Sequence, residues 1–269
     1  MEIAQLLAIN AGIIAAFFLG CWMINVVIKD PSFIDSLWAL GMVVVAIATY
    51  FITGGRGPHA TLLTVLCSIW GLRLGLYLLW RWRKNGPDRR YVTMMGKAQS
   101  ERGWSYPKAS LLLVFALQAP LQFIVCLPVQ LGQLAGTSHL GHLATAGLTL
   151  AVIGIAFETV GDWQLAKFKG DPANEGKILD TGLWRYTRHP NYFGDACVWW
   201  GLFLIAAETG PVGWASLPGP ILITLLLTRW SGVPTTEGRM RRKRPDYMDY
   251  VARTSGFIPM LPKKPKPMA

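Results

Sequence analysis

The sequence predicts an all-α integral membrane protein, a bundle of seven transmembrane helices with its N-terminus outside and its C-terminus in the cytoplasm. Three observations predict it. Of 269 residues, 52% are hydrophobic and only 15% are charged, where an ordinary soluble domain carries roughly 25% charged residues. The apolar residues fall in blocks of about 20, the length that crosses a bilayer core of roughly 30 Å. Of the 26 Lys and Arg residues, all but Arg73 and Arg229 avoid those blocks, and they gather in alternate loops. A soluble enzyme, a disordered chain and a disulfide framework are all excluded by these features.

The spans read, in order, Ile3–Ile28, Ile34–Ile52, Thr61–Trp80, Ser110–Gly132, Leu143–Leu165, Tyr192–Ala207 and Val212–Trp230. The chain opens Met1-Glu2 with no basic n-region and no small-residue cleavage site, so the first block is expected to be a retained span rather than a signal peptide. Gly147, Gly154 and Gly161 recur every seven residues along the fifth span, the spacing of a closely packed helix face. The cysteines Cys21, Cys67, Cys126 and Cys197 each lie inside an apolar block, with no C-x-x-C pair, and read as buried free thiols.

Charge fixes the expected orientation. Eight Lys or Arg residues lie between spans three and four, five between spans five and six, and nine after span seven, whereas only Arg56 falls in an alternate loop. The positive-inside rule puts the basic loops in the cytoplasm. The net charge of +11 is therefore a topology signal and does not call for nucleic acid as a partner. The chain is expected to be a single membrane domain over 1–269, with residues 258–269 a frayed, Pro- and Lys-rich tail at the membrane surface.

Ionisable residues at membrane depth are costly and face a cavity or a partner. Glu158 and Asp162 are four apart and share a helix face near the cytoplasmic end of span five, and Asn191 and Asp195 repeat that spacing at the start of span six. Arg73 and Tyr77 do so in span three. Together they suggest a polar chamber open to the cytoplasm. Gln118, Gln122, Gln130 and Gln133 in span four read equally as ligand contacts or as bonds between helices. The four histidines are too few for a histidine-rich di-iron oxygenase, and His139-x-x-His142 lacks a neighbouring acid or cysteine, so no metal is expected. Gly55-Arg56-Gly57-Pro58-His59-Ala60 matches G-x-G-x-x-A only formally, because no βαβ unit surrounds it.

The most informative stretch runs from Glu158 to Asp195. Pro190 is placed to begin a helix, with Asn191 to Asp195 as its first turn. Free N–H groups and the positive end of the helix dipole favour an anion there. Arg185, Arg188 and His189 stand just before it, with Lys167, Lys169 and Lys177 upstream. Cations beside a helix N-terminus suit phosphate, and Asn191 and Asp195 suit an amide or a ribose.

The run Arg185-Tyr186-Thr187-Arg188-His189-Pro190-Asn191-Tyr192-Phe193-Gly194-Asp195 closely resembles the signature of the steroid 5-alpha-reductase C-terminal-domain family and related sterol reductases. The ending Glu237-Gly-Arg-Met240 through Tyr247, Tyr250 and Phe257-Ile258-Pro259 resembles that family's ending. Weaker matches are Asp30-Pro-Ser-Phe-Ile-Asp35-Ser-Leu-Trp38 and Trp70-Gly-Leu-Arg73-Leu-Gly-Leu-Tyr77. The resemblance implies NADPH-dependent reduction of an activated C=C bond in a steroid, sterol or other lipid enone. It implies that Glu158, Asp162, Lys169, Lys177, Tyr186, Arg188, His189, Asn191 and Asp195 hold the dinucleotide. It also puts Asp35 at the place of an acid, and Trp70 at the place of a tyrosine, that flank the substrate carbonyl in the animal steroid enzymes.

Hydride would go to the β-carbon and a proton to the α-carbon. A carboxylic acid kept protonated by an apolar surround could polarise the carbonyl, with Asp35 in that role and Arg73 and Tyr77 as supports. The structural alternative for Asp35 is a cap at the start of span two. The lipophilic substrate is expected to enter from the bilayer and the phosphates from the cytoplasm, in a bacterial inner membrane; lipids are the other expected partners, and oligomeric state is open. Two further readings stand beside the reductase. Isoprenylcysteine carboxyl methyltransferases, which use S-adenosylmethionine, also carry Arg-His-Pro, an aromatic and a late glutamate. A non-enzymatic lipid-binding protein is the other.

Overall fold

The computed structural model describes residues 2–55, 57–134, 138–244 and 246–263. Arg56, on which part of the charge count rests, and residues 264–269 of the tail lie outside them. The described residues form an all-α protein, with a single isolated bridge between Thr187 and Ser255. Among them, six helices are long and apolar enough to cross a membrane: Ile3–Ile28, Pro31–Thr53, Gly57–Asn85, Tyr106–Val125, His142–Gly170 and Pro211–Arg242. Contacts divide the chain into two compact units, one of residues 1–145 and 202–219, the other of residues 146–201 and 220–269.

In the first unit, α1 (Ile3–Ile28) buries one narrow stripe, Leu6, Asn10, Ile14, Phe18, Cys21 and Asn25, spaced three or four residues apart. Its other faces leave Leu19, Met23, Ile24 and Val27 exposed, as suits a helix that meets lipid. Next come α2 (Ile34–Thr53) and α3 (Gly57–Asn85), which pack closely because Gly71 and Gly75 lie against the carbonyls of Ala39 and Ser36. A basic helix, α4 (Arg89–Arg102), follows.

The fourth span is segmented. It comprises α5 (Tyr106–Ser110), a widened π turn (Leu111–Phe115), α6 (Ala116–Val125) and α7 (Leu127–Leu131). Pro120 has no N–H for the Ala116 carbonyl, and Pro128 starts a new helix, so a single regular ladder is impossible. Its glutamines bond between helices: Gln122 donates to the Trp38 carbonyl (2.6 Å) and Gln133 to the Ala46 carbonyl (3.1 Å). Asn10 donates to Thr49 Oγ1 (2.9 Å) and Gln130 Oε1 (3.2 Å). At the far end of this unit, Glu208 accepts from the Gly141 (2.7 Å) and Ala144 (2.9 Å) N–H groups and meets His59 Nε2 at 2.7 Å. It thereby caps the start of α8 (His142–Gly170).

In the second unit α8 packs on α9 (Pro190–Ala207), and the seven-residue glycine spacing is the reason. A Cβ on Gly194 would lie 2.5 Å from the Gly154 carbonyl, and one on Gly201 equally close to that of Gly147. Gly161 faces Pro190 in the same way. Pro190 begins α9 as its position in the sequence predicts. This 18-residue helix opens on Asn191 and Asp195 and is not among the six apolar ones. Short helices α10 (Pro211–Trp214), α11 (Pro218–Leu225), α12 (Val233–Lys243) and α13 (Tyr247–Arg253) complete the chain, with a second π turn at Leu226–Trp230. All four cysteines are buried thiols.

Candidate functional site

Two polar clusters, one in each unit, hold most of the residues singled out from the sequence. In the second unit, Glu158 and Asp162 are 3% and 5% exposed on one face of α8, and Asp195 is 8% exposed on α9. Asn191 donates from Nδ2 to Asp162 Oδ1 at 3.2 Å. The contact exists because Gly154, Gly161 and Gly194 let the helices touch backbone to backbone, which brings the first turn of α9 beside the acids. Three buried acids and a half-buried amide can bind hydroxyl and amide groups, the donors of a ribose or a carboxamide.

Arg188 and His189 turn inward. Arg188 places Nε and Nη2 each 2.8 Å from Glu237 Oε1, and donates from Nη1 to the carbonyls of Val251 (3.3 Å) and Thr254. His189 Nε2 lies 3.3 Å from the same carboxylate, and its ring stacks on Tyr192 at 5.2 Å. Burial lowers the His189 pKa, against the opposing pull of Glu237. The Glu237 Oε2 atom takes Arg241 at 3.2 Å. Around this cluster the end of the chain is strapped down. Arg188 N donates to Ser255 O (2.9 Å), Thr187 Oγ1 to Phe257 O (2.8 Å), Met260 N to Tyr186 O (3.0 Å) and the Tyr250 hydroxyl to Trp184 O (2.5 Å). Burial, followed by the Glu237 charge, pushes Tyr247 up to about 12.

Arg188 thus spends its guanidinium on Glu237 and the tail. Lys167, Lys169, Lys177, Arg185 and Tyr186 are exposed. Glu237 is a residue that site reasoning from the sequence passed over. Its signal is a lone acid at the head of the basic run Arg239 to Arg244.

The cluster in the first unit corrects the expected surroundings of Asp35. That residue does not sit in an apolar pocket: it accepts from the Tyr91 hydroxyl at 2.7 Å and from Arg90 Nη2 at 3.1 Å, and is 28% exposed. Capping falls to Asp30 instead, which accepts from Ser32 N (2.9 Å) and from Trp82 Nε1 (2.7 Å). Arg90 is oriented by a fork onto Asp88, with contacts of 3.0 to 3.2 Å. Gln118 donates to the Tyr91 oxygen at 3.4 Å. Burial, then the Asp35 charge, raises the Tyr91 pKa well above its ordinary 10, so its hydroxyl keeps its proton. Arg73 is half-buried on α3 and Tyr77 lies one turn on, its ring 6.0 Å from that of Trp80. Trp70 is fully buried. The tyrosine that meets the acid is therefore Tyr91, 56 residues away in sequence.

Comparison with known proteins gives a family and a distant relative. The family described as "Protein of unknown function (DUF1295)" matches residues 21–254. An uncharacterized protein of Schizosaccharomyces pombe, C594.04c, is 23% identical over 286 aligned positions, covering 93% of this chain and 79% of the relative. No solved structure matches.

Proposed function

The chain belongs to the DUF1295 family of proteins of unknown function, and we propose that it is a membrane-embedded, NADPH-dependent reductase of an activated C=C bond in a lipid enone. The observation that carries this reading is the buried acids Glu158 and Asp162 on α8 and Asp195 on α9, with half-buried Asn191 bonded to Asp162, and exposed cations at Lys169, Lys177 and Arg185. Those donor types fit a dinucleotide: acids and an amide for ribose and carboxamide, cations for phosphate. When bound, the reduced nicotinamide supplies the hydride for the β-carbon of the enone.

This chain's own residues do the rest. Asp162 holds Asn191 in place, and Gly194 keeps α8 and α9 close. The Tyr91 hydroxyl, which gives its one proton to Asp35 (2.7 Å) and accepts from Gln118, would turn that proton from Asp35 to the substrate carbonyl and polarise it as negative charge develops on its oxygen. Arg90, anchored by Asp88, adds positive charge beside it. Asp35 is thus a positioning acceptor for Tyr91. The 3-oxo-4-ene steroids and other lipid enones are the substrate class, reached from the bilayer.

In the same reading α9 is a seventh crossing, with the N-terminus outside and the basic loops and cofactor face in the cytoplasm. A second reading rests on the cluster of Arg188, His189 and Glu237, whose residue types isoprenylcysteine carboxyl methyltransferases share. Isotope transfer separates the two. With NADPH deuterated on the reactive face and a steroid enone, the reductase is expected to place deuterium on the β-carbon. Methyl transfer from S-adenosylmethionine to a prenylcysteine, with no label in any enone, would overturn it.

A further inference from the structure

Where α8 leaves the membrane-spanning length, the second unit carries an open groove of about 340 Å³, at the low end of the roughly 300–1,000 Å³ typical of ligand sites. It lies on the exposed side of the helix, whereas Glu158 and Asp162 are buried. Trp163, 59% exposed, and Phe168 give it an apolar wall. Lys167 holds its ammonium 5.3 Å from the centre of the Trp163 ring. Opposite in charge is Asp171, which uses one oxygen to cap the following turn through Ala173 N (2.9 Å). Asn174 spends its amide N–H on the Phe168 carbonyl (3.1 Å), which leaves its oxygen as an acceptor, and the Thr181 hydroxyl is a further one.

The groove therefore offers one cation, one carboxylate, the Asn174 oxygen, the Thr181 hydroxyl and the Gln164 amide, whose oxygen already accepts from Leu183 N (3.0 Å), beside an aromatic wall at the end of a membrane-spanning helix. A purely anionic ligand would leave Asp171 opposed, and a quaternary ammonium would present methyl groups to three oxygens that need N–H donors. A primary ammonium supplies three N–H donors, and a phosphate joined to it through a two-carbon linker suits Lys167. We propose that this groove binds the headgroup of a phosphoethanolamine lipid, with phosphate on Lys167, ammonium on Asp171, Asn174 and Thr181, and the glycerol end against Trp163 and Phe168. The occupant is a bilayer lipid because the aromatic wall continues the lipid-facing surface of α8, where exposed Trp and Lys mark the interface.

The test uses the full chain in nanodiscs containing equal amounts of phosphatidylethanolamine, phosphatidylcholine and phosphatidylglycerol with identical acyl chains, followed by native mass spectrometry. The ethanolamine lipid is expected to be retained in preference to both others. Lys167→Gln and Asp171→Asn are each expected to cut that retention about tenfold, the scale of one charged hydrogen bond. Asparagine at position 171 keeps the oxygen that caps the turn, and both side chains are exposed, so folding is preserved. Equal retention of the three lipids, preference for the glycerol lipid, or retention unchanged in both variants would overturn the proposal.

Discussion

At the scale of single residues, the Tyr91 hydroxyl is the group on which turnover should depend most. Tyr91→Phe removes one oxygen and leaves the ring packing intact. Its turnover is expected to fall on the order of 10²-fold or more, the usual contribution of a positioned proton donor, with NADPH affinity unchanged; single-turnover kinetics beside equilibrium binding measures both. Asp35→Asn should lose less, because the amide oxygen can still accept from Tyr91. Equal activity of the Phe variant across several enones would remove Tyr91 from the chemistry. None of this pairing is legible in the sequence. Asp35 and Tyr91 stand 56 positions apart, in a span and a loop, and no periodicity links them. The pairing of Glu237 is hidden for the same reason: its partners Arg188 and His189 precede it by 49 and 48 positions. What could be read was local. The i,i+4 pairs Glu158/Asp162 and Asn191/Asp195 and the helix start at Pro190 are each set within one or two turns.

At the scale of elements, the α8–α9 contact and the Glu208 cap make separate, checkable demands. Gly194→Ala would press a methyl group to 2.5 Å from the Gly154 carbonyl, and a backbone atom cannot give way cheaply. The variant is expected to lower the unfolding temperature in detergent, while Gly170→Ala, at the end of α8 with nothing near its Cβ, is not. The cap predicts a pH dependence. Burial alone would raise the Glu208 pKa, but the N–H groups of Ala144 and Gly141, together with His59, outweigh it and bring it from 4.5 to about 2. The folded state therefore binds fewer protons than the unfolded one in that window. Glu208 contributes its stability fully above about pH 4.5, and that contribution is lost as pH falls toward 2. Glu208→Gln should flatten this part of a thermal-melt series between pH 5 and pH 2. Spans one and two were legible almost to the residue, because their apolar runs end at turn residues. Span four was not, since Pro120 and Pro128 divide an apolar run that hydropathy reads as continuous.

At the scale of the whole molecule, the excess of basic residues and the apolar helices make a topology test direct. The native thiols are buried, so single introduced cysteines report cleanly. Ser138→Cys is expected to label from outside, and Ser100→Cys and Ala173→Cys from the cytoplasm; labelling of all three from one side would contradict seven crossings. Membrane class and six apolar helices were legible because composition and hydropathy act over whole segments. Expectations about chemistry rest on clustered motif residues, which is why the cofactor is the point to test. The most direct measurement is equilibrium binding of NADPH, NADH and S-adenosylmethionine to the detergent-purified protein and to its Asn191→Ala variant. The expected result is that NADPH binds more tightly than NADH, that S-adenosylmethionine does not compete, and that the variant loses about 1–3 kcal/mol, as when a buried hydrogen-bond partner is left unsatisfied. Tight S-adenosylmethionine binding with no binding of NADPH would contradict it.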